Sequence, residues 1–172
     1  MTHYLGKRRR VKPILAYPVV ILYDDREKRP WKFNSSYFKT ERVRLKVGDY
    51  TIKGYQNTIA IEKKSGLKEF LANLSGHNRS GFMRQLAKLS SHTHSFLVIN
   101  DDPSRVAEVL ETIPNTRLTM SSVSYWITYI TVNLGVPVLF TGKDRSLCKL
   151  FVHHLLTNII EKINKGEIKN GV

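Results

Sequence analysis

Asp24, Asp49, Glu62 and Lys64 are the residues of this sequence whose types and spacing could do chemistry together. Asp24 ends the apolar run "VVILYDD", Asp49 follows a glycine in "GDYTI", and Glu62 and Lys64 close "NTIAIEKKS". If these runs are strands, residues two apart project to one face, so Glu62 and Lys64 point together while Lys63 points away. A carboxylate and an ammonium then share a pocket, and neighbouring strands would bring three carboxylates to one sheet edge. In a basic chain such a cluster needs a reason. A hard divalent cation supplies one, because Mg2+ takes oxygen ligands, usually one or two carboxylates completed by water and substrate phosphate. The plainer reading is a hairpin with charged decoration, since an Asp after Gly and an i,i+2 Glu/Lys pair are both common. Spacing alone leaves both readings open.

The elements that must hold these groups follow from periodicity. Residues 19–25 form a continuous apolar run that suits a strand buried on both faces. A loop around Pro30 and Asn34 comes next, and "ERVRLKV" at 41–47 alternates as a second strand with Val43, Leu45 and Val47 on one face. "YTI" and "NTIAIE" make two more strands around a turn at Gly54 to Asn57. Helical spacing then takes over: Leu67, Phe70, Leu71 and Leu74 form one stripe, and Phe82, Leu86 and Leu89 another. "SFLVIN" at 95–100 is a buried strand, and Pro103 suits the first turn of a helix through Leu110. A Ser-rich start at 121–122 opens a helix through Val132, "VPVLF" at 136–140 is a strand, and a long helix runs from about Asp144 to Ile163. Strands first, then helix–strand–helix alternation, predict an α/β sandwich with a mixed central sheet.

Composition narrows the partners. The chain has 172 residues, 41% of them hydrophobic, which is enough for one core and short for two. We expect a basic N-terminal arm over 1–18, a domain over 19–165 and a C-terminal tail over 166–172. Lys and Arg number 28 against 14 Asp and Glu, a formal charge of +14. A polyanion, and nucleic acid first, is the commonest reason for such an excess. No apolar run approaches a membrane span, and no strongly basic amphipathic helix presents Trp, Phe and Leu together, so no membrane partner is expected. The arm "GKRRRVKP" reads as a phosphate-contacting arm, an import-like signal or a solvated tail. Cys148 has no internal disulfide partner, which fits a reducing, intracellular setting, and its apolar neighbours predict a core thiol. The His92/His94 and His153/His154 pairs lack zinc-finger spacing. Trp31 could stack on a base or plug the sheet edge; Tyr125, Trp126, Tyr129 and Ile130 form a strip that reads as core packing.

Taken together, "ILYDDREKRPW", "LKVGDYTI", "IAIEKKSGLKEF" and "NRSGFMRQLAKL" resemble the nuclease domain of the XPF family of structure-specific endonucleases, within the PD-(D/E)xK, restriction-enzyme-like superfamily. The family pattern is an apolar strand ending D-x-R-E, then G-D-Y, then an apolar strand running into E-R-K and a helix. Here those elements are Asp24, Arg26 and Glu27; Gly48, Asp49 and Tyr50; and Glu62, Lys63 and Lys64. Two positions depart. Lys63 stands where the family has Arg, keeping charge but losing the planar fork. The acid after the triplet falls at Lys68 in direct register, with Glu69 one residue later.

The resemblance implies a restriction-endonuclease-like three-layer α/β/α sandwich and metal-dependent hydrolysis of DNA phosphodiesters, with branched, flap or nicked DNA as candidate substrates and repair or recombination as the setting. Asp24, Asp49 and Glu62 would hold Mg2+ or Mn2+, and Lys64 would position the nucleophile or stabilise transition-state charge. Glu27 would bind metal or pair with Arg26, and Glu69 would support the site. Arg26, Lys28, Lys63, Arg79, Arg84 and Lys88 would contact DNA. A homodimer is expected, with targeting left to a separate protein, since helix-hairpin-helix and helicase segments are not in this sequence. The expected setting is cytoplasmic or nucleoid-associated, or nuclear in a eukaryote. The alternatives are a non-catalytic nucleic-acid-binding or scaffold subunit, and a metal-dependent nuclease acting on RNA.

Overall fold

The computed structural model describes residues 18–33 and 38–170. The expected basic arm, Asn34 and the last two residues lie outside the described residues. Six strands form one sheet: β1 (Val19–Asp24), β2 (Phe38–Val43), β3 (Tyr50–Ile52), β4 (Ile59–Lys64), β5 (His94–Ile99) and β6 (Val138–Phe140), in the order β2-β1-β3-β4-β5-β6. Only β3 runs against its neighbours. The C-terminal ends of β1 and β4 and the start of β3 therefore share one edge of the sheet.

Side-chain alternation sorts the core into two layers. Ile21, Tyr50, Ile52, Ile59, Ile61 and Val98 point to one face, where α5 (Arg145–Asn164) covers them with Cys148, Val152, Leu156 and Ile160. Ala60, Leu97 and Ile99 point to the other, against α1 (Leu67–Leu74), α2 (Asn78–Leu89), α3 (Val106–Glu111) and α4 (Met120–Thr128). The result is the expected α/β/α sandwich around a mixed sheet. Local signals explain the helix starts: the Asp144 side chain accepts from the amides of Ser146 and Leu147, and Thr119 and Ser122 form a reciprocal cap on α4.

Two expectations are corrected and two open readings are filled in. The second strand lies at 38–43 rather than 41–47; β2 is in register with β1 only to Asp24↔Val43, and the chain then turns so that the Leu45 amide donates to the Asp24 carboxylate at 2.8 Å. The segment 166–170 is no free tail, because Ile168 packs on the α5-side core and the Lys169 carbonyl meets the His94 ring at 2.9 Å. Of the 125–130 strip only Ile130 is fully buried, and Tyr125 is 60% exposed. α4 ends at Thr128 and gives way to a wider π turn over Tyr129–Asn133, and Trp126 packs half-buried against the core. Trp31 is core: it is 1% exposed and stacks on Tyr50 with centroids 4.9 Å apart.

Cys148 is buried as expected, and His153 sits between Phe33 and Phe38. Among the described residues no helix is long and apolar enough to cross a membrane.

Gly48 holds the start of β3 in place. Its φ is +71°, and a Cβ there would stand 2.9 Å from the Ile61 carbonyl oxygen of β4. Both facts exclude an L side chain without displacing the strand pair. Gly48→Ala is expected to cost about 1–3 kcal/mol and to lower activity further by shifting Asp49; a melting curve matching wild type would overturn this.

Candidate active site

The strand register brings the expected carboxylates together. Pairing of Tyr23 with Tyr50 and of Tyr50 with Ile61 places Asp24, Asp49 and Glu62 side by side. The backbone locks this: the Asp24 amide donates to the Asp49 carbonyl at 2.9 Å, and the Asp49 amide to the Ile61 carbonyl at 2.7 Å. Asp49 Oδ2 accepts from the Lys63 amide at 2.7 Å. Glu62 and Lys64 face the same layer as Ala60, toward α1 and α2, and Lys63 faces the other way. Lys64 Nζ donates to Glu62 Oε1 at 2.9 Å and lies 4.9 Å from the Phe82 ring centre.

These groups line an open cleft of about 690 Å3. Burial, then the neighbouring Glu62 carboxylate, raises the Asp49 carboxyl from its ordinary 3.8 to about 7, against the opposing pull of the Lys63 amide and Lys64. Burial likewise raises Glu62, and Lys64 only partly offsets it. Burial alone would depress Lys64, but Glu62 outweighs it and keeps the ammonium charged. One ammonium thus stands beside two carboxylates that burial and mutual repulsion both disfavour as anions.

Asp24 has a different environment. Arg26 grips it at both oxygens, Nε to Oδ1 at 2.6 Å and an Nη to Oδ2 at 3.0 Å. Burial would raise its pKa, but these bonds and the Leu45 amide hold it below the usual value. Asp49 and Glu62 thus stand as the pair whose oxygens are least engaged, with Asp24, held by Arg26 and the Leu45 amide, beside them in the same cleft. Among the described residues no group of three or more His, Cys, Asp or Glu is arranged to hold an ion by itself.

The supporting residues are also redistributed. Glu27 pairs with Lys63 at 3.2 Å and not with Arg26. The Lys63 side chain is 1% exposed, donates to the Arg29 carbonyl at 2.8 Å and lies over the Trp31 ring. Its side chain stands beneath the 27–31 loop, and Lys63 is among the residues that line the cleft. Glu69 lines the cleft, accepts from the Ser65 amide at 2.9 Å and approaches Lys64 at 3.7 Å, whereas Lys68 is exposed. Arg26, Lys28, Arg84 and Lys88 all line the cleft. Arg79 does not; it lies over Trp126 at 5.1 Å.

Sequence reasoning missed Lys46 and Gln85, both of which line the cleft. Gly81, Arg84, Gln85 and Lys88 recur at i, i+3, i+4 and i+7, so one face of α2 carried the signal for Gln85. Lys46 had none, because it sits in the segment misread as strand.

The donor set fits a hard divalent cation. Glu62 Oε2 is buried and accepts no full hydrogen bond, the Gln85 side chain giving the carboxylate only a weak interaction, and Asp49 accepts one amide while retaining acceptor capacity. An oxygen-only pair needing a second positive charge suits Mg2+ or Mn2+, which keep water and phosphate in their remaining positions.

A comparison with curated protein sequences finds no match. Among solved structures the chain is similar to XPF from Aeropyrum pernix, with TM-score 0.61 and 17% identity over 84% of this chain and 68% of that one. It is similar also to the same protein in complex with DNA, with TM-score 0.60 and 17% identity over 84% and 66%. The chain thus spans about two thirds of each, and at this identity the likeness speaks for the fold. Residues 23–153, which begin at the end of β1 and run into α5, match the ERCC4 domain, and that span covers every residue lining the cleft. The chain belongs to the ERCC4 domain family.

Proposed function

We propose that the protein is a divalent-metal-dependent endonuclease that hydrolyses DNA phosphodiester bonds. The observation that carries this reading is the buried Glu62 Oε2, which accepts no full hydrogen bond, beside Asp49 in a cleft that Arg26, Lys28, Lys46, Arg84 and Lys88 also line. Asp49 and Glu62 would hold the metal. When bound, such an ion polarises a phosphoryl oxygen and makes its water more acidic.

This chain's own residues do the rest. Lys64, charged and oriented by Glu62, places an ammonium where negative charge grows on the phosphoryl group. Glu69 keeps that ammonium from turning away. Asp24 fixes the Arg26 guanidinium at the rim, and Arg84, Lys88, Lys28 and Lys46 offer the flanking phosphates their counter-charges. The DNA seen with the Aeropyrum XPF supports DNA as the substrate class.

Purified protein is expected to cut labelled duplex, single-stranded, flap or fork DNA with Mg2+ or Mn2+ and not with EDTA, and Asp49→Asn to abolish cutting while still binding. Binding without cleavage by wild type in every metal would replace the enzyme with a non-catalytic DNA-binding or scaffold subunit. Cleavage of RNA alone would move the substrate.

We infer a homodimer as well. Leu147, Leu150 and Phe151 on α5 and Val132 after α4 are large apolar side chains left exposed, in the two elements that flank β6 in sequence. Light scattering is expected to give twice the chain mass, and Phe151→Glu to return it to one; a monomer at high concentration refutes this.

A further inference from the structure

The sheet face that carries Glu62 and Lys64 is only half covered by helices. α1 and α2 link β4 to β5, and α3 and α4 link β5 to β6, so they lie over that end of the sheet. At the other end Leu22 of β1 and Thr51 of β3 line a second cavity of about 600 Å3. Segment 43–47 lines it too, as do Asn57 and His92, whose ring Nε2 stands 3.1 Å from the Gln56 carbonyl and braces the rim.

Two features say what this cavity takes. It adjoins the candidate active-site cleft, since Lys46 and Val47 line both. Its chemistry is unlike the cleft's: no Asp or Glu lines it, while Arg44 and Lys46 do, beside the apolar Leu22, Val43 and Leu45 and the amide of Asn57. A metal finds no anionic ligand there. An apolar wall suits the face of a planar ring, an amide suits the ring's polar edge, and a cation at the shared boundary suits a phosphate. A base inside a duplex leaves its stack only at a cost of about a few kcal/mol, whereas an unpaired one can enter at little cost.

We propose that this cavity seats one unpaired nucleotide of the same strand whose phosphate lies at Asp49 and Glu62. The base lies against Leu22 and Val43 with its edge toward Asn57, and its phosphate sits at Lys46. The proposal takes the phosphate's location from the nuclease reading, but it does not need that reaction to occur.

The test uses the full chain in EDTA, so that no strand is cut. The probes are duplex DNA with a short single-stranded gap carrying 2-aminopurine, and the same duplex without a gap. Binding is expected to change the 2-aminopurine emission of the gapped probe. Asn57→Trp, at an exposed turn position, fills the mouth; it is expected to abolish that change and to weaken gapped-DNA binding about tenfold, the size of one base contact. Affinity for uninterrupted duplex should stay within about twofold. Asn57→Ala, which leaves the mouth open but removes the amide at the base edge, should keep the emission change while weakening gapped-DNA binding less than Asn57→Trp does, and so separates occlusion from loss of the amide.

An emission change that is absent in wild type, or that survives in correctly folded Asn57→Trp, overturns the seat and leaves the nuclease reading standing. An Asn57→Trp-sensitive signal from a protein that cuts nothing in any metal overturns the nuclease reading and leaves the seat. Failure to bind either probe overturns both.

Discussion

Asp49→Asn is expected to lower DNA cleavage by about a thousandfold and, at the same time, to make the metal-free protein more stable. The two effects share one cause. Asp49 and Glu62 are held side by side by the backbone pairing of β3 with β4, and with Lys64 as their one close ammonium the site carries unbalanced negative charge. On the proposed reading that imbalance would draw a divalent cation, and it costs stability without one. Replacing Asp49 by its neutral isostere keeps an acceptor for the Lys63 amide while removing the repulsion. A gain of about 2 kcal/mol corresponds to roughly 4–8 °C in Tm for a chain of this size.

The pH dependence carries a definite sign. The folded state holds the Asp49 proton up to about 7, whereas the unfolded chain releases it near 3.8. Between those values the unfolded state binds fewer protons, so the stability of the metal-free protein falls as pH rises through that window. Below it the penalty vanishes, and Asp49→Asn should flatten the decline. Thermal melts in EDTA at pH 4.5 and 7.5, with wild type and variant in parallel, measure this directly. A variant less stable than wild type at pH 7.5 would mean that the carboxylate is structural, and retained cleavage would remove Asp49 from the site.

Trp31→Ala is expected to destabilise the protein by about 3–5 kcal/mol, lowering Tm on the order of 10 °C. Trp31 is wholly buried, its ring stacks on Tyr50, and its amide donates to the Tyr50 hydroxyl at 2.7 Å. On its other side the Lys63 ammonium lies 5.1 Å from the ring centre. Truncation therefore opens a cavity and also leaves a buried ammonium with less to hold it. Arg145 ties the same loop down by donating to the carbonyls of Arg29 and Pro30 at 2.8 Å, so loss of the ring loosens the strand ends that carry Asp24 and Glu62. Activity should fall with stability, and Trp31→Phe should recover part of both. An unchanged Tm in Trp31→Ala would return the residue to the surface and reopen base stacking.

Most of the fold was legible because its signals are local. The apolar run at 19–24, the stripes of α1 and α2 and the Asp144 cap each rest on residues within a few positions of one another. Glu62 and Lys64 were readable as a pair for the same reason, since strand geometry alone puts them on one face. The misreadings fall where a distant segment decided the outcome. "ERVRLKV" alternates like a strand throughout, yet β2 stops at Val43 because its partner β1 stops at Asp24. The residues at 125–130 have core spacing, yet Tyr125 is exposed and Trp126 and Tyr129 are half-buried, because which face of α4 is covered depends on the helices packed beside it.

By itself, the sequence determined which residues could form strands and helices, which face of β4 carries a carboxylate and an ammonium, and that the chain as a whole is cationic. It also determined that Gly48 precedes Asp49, a local necessity that the 2.9 Å approach to β4 explains. Only the tertiary structure decided the pairings that are distant in sequence: Glu27 with Lys63, and Arg79 with an aromatic ring instead of the cleft. The physical reason is range. Backbone geometry is set by neighbours in sequence, whereas a charge is satisfied by whatever the folded chain brings within a few ångströms. For Lys63 and Arg79 that partner lies some 30 or more residues away along the chain.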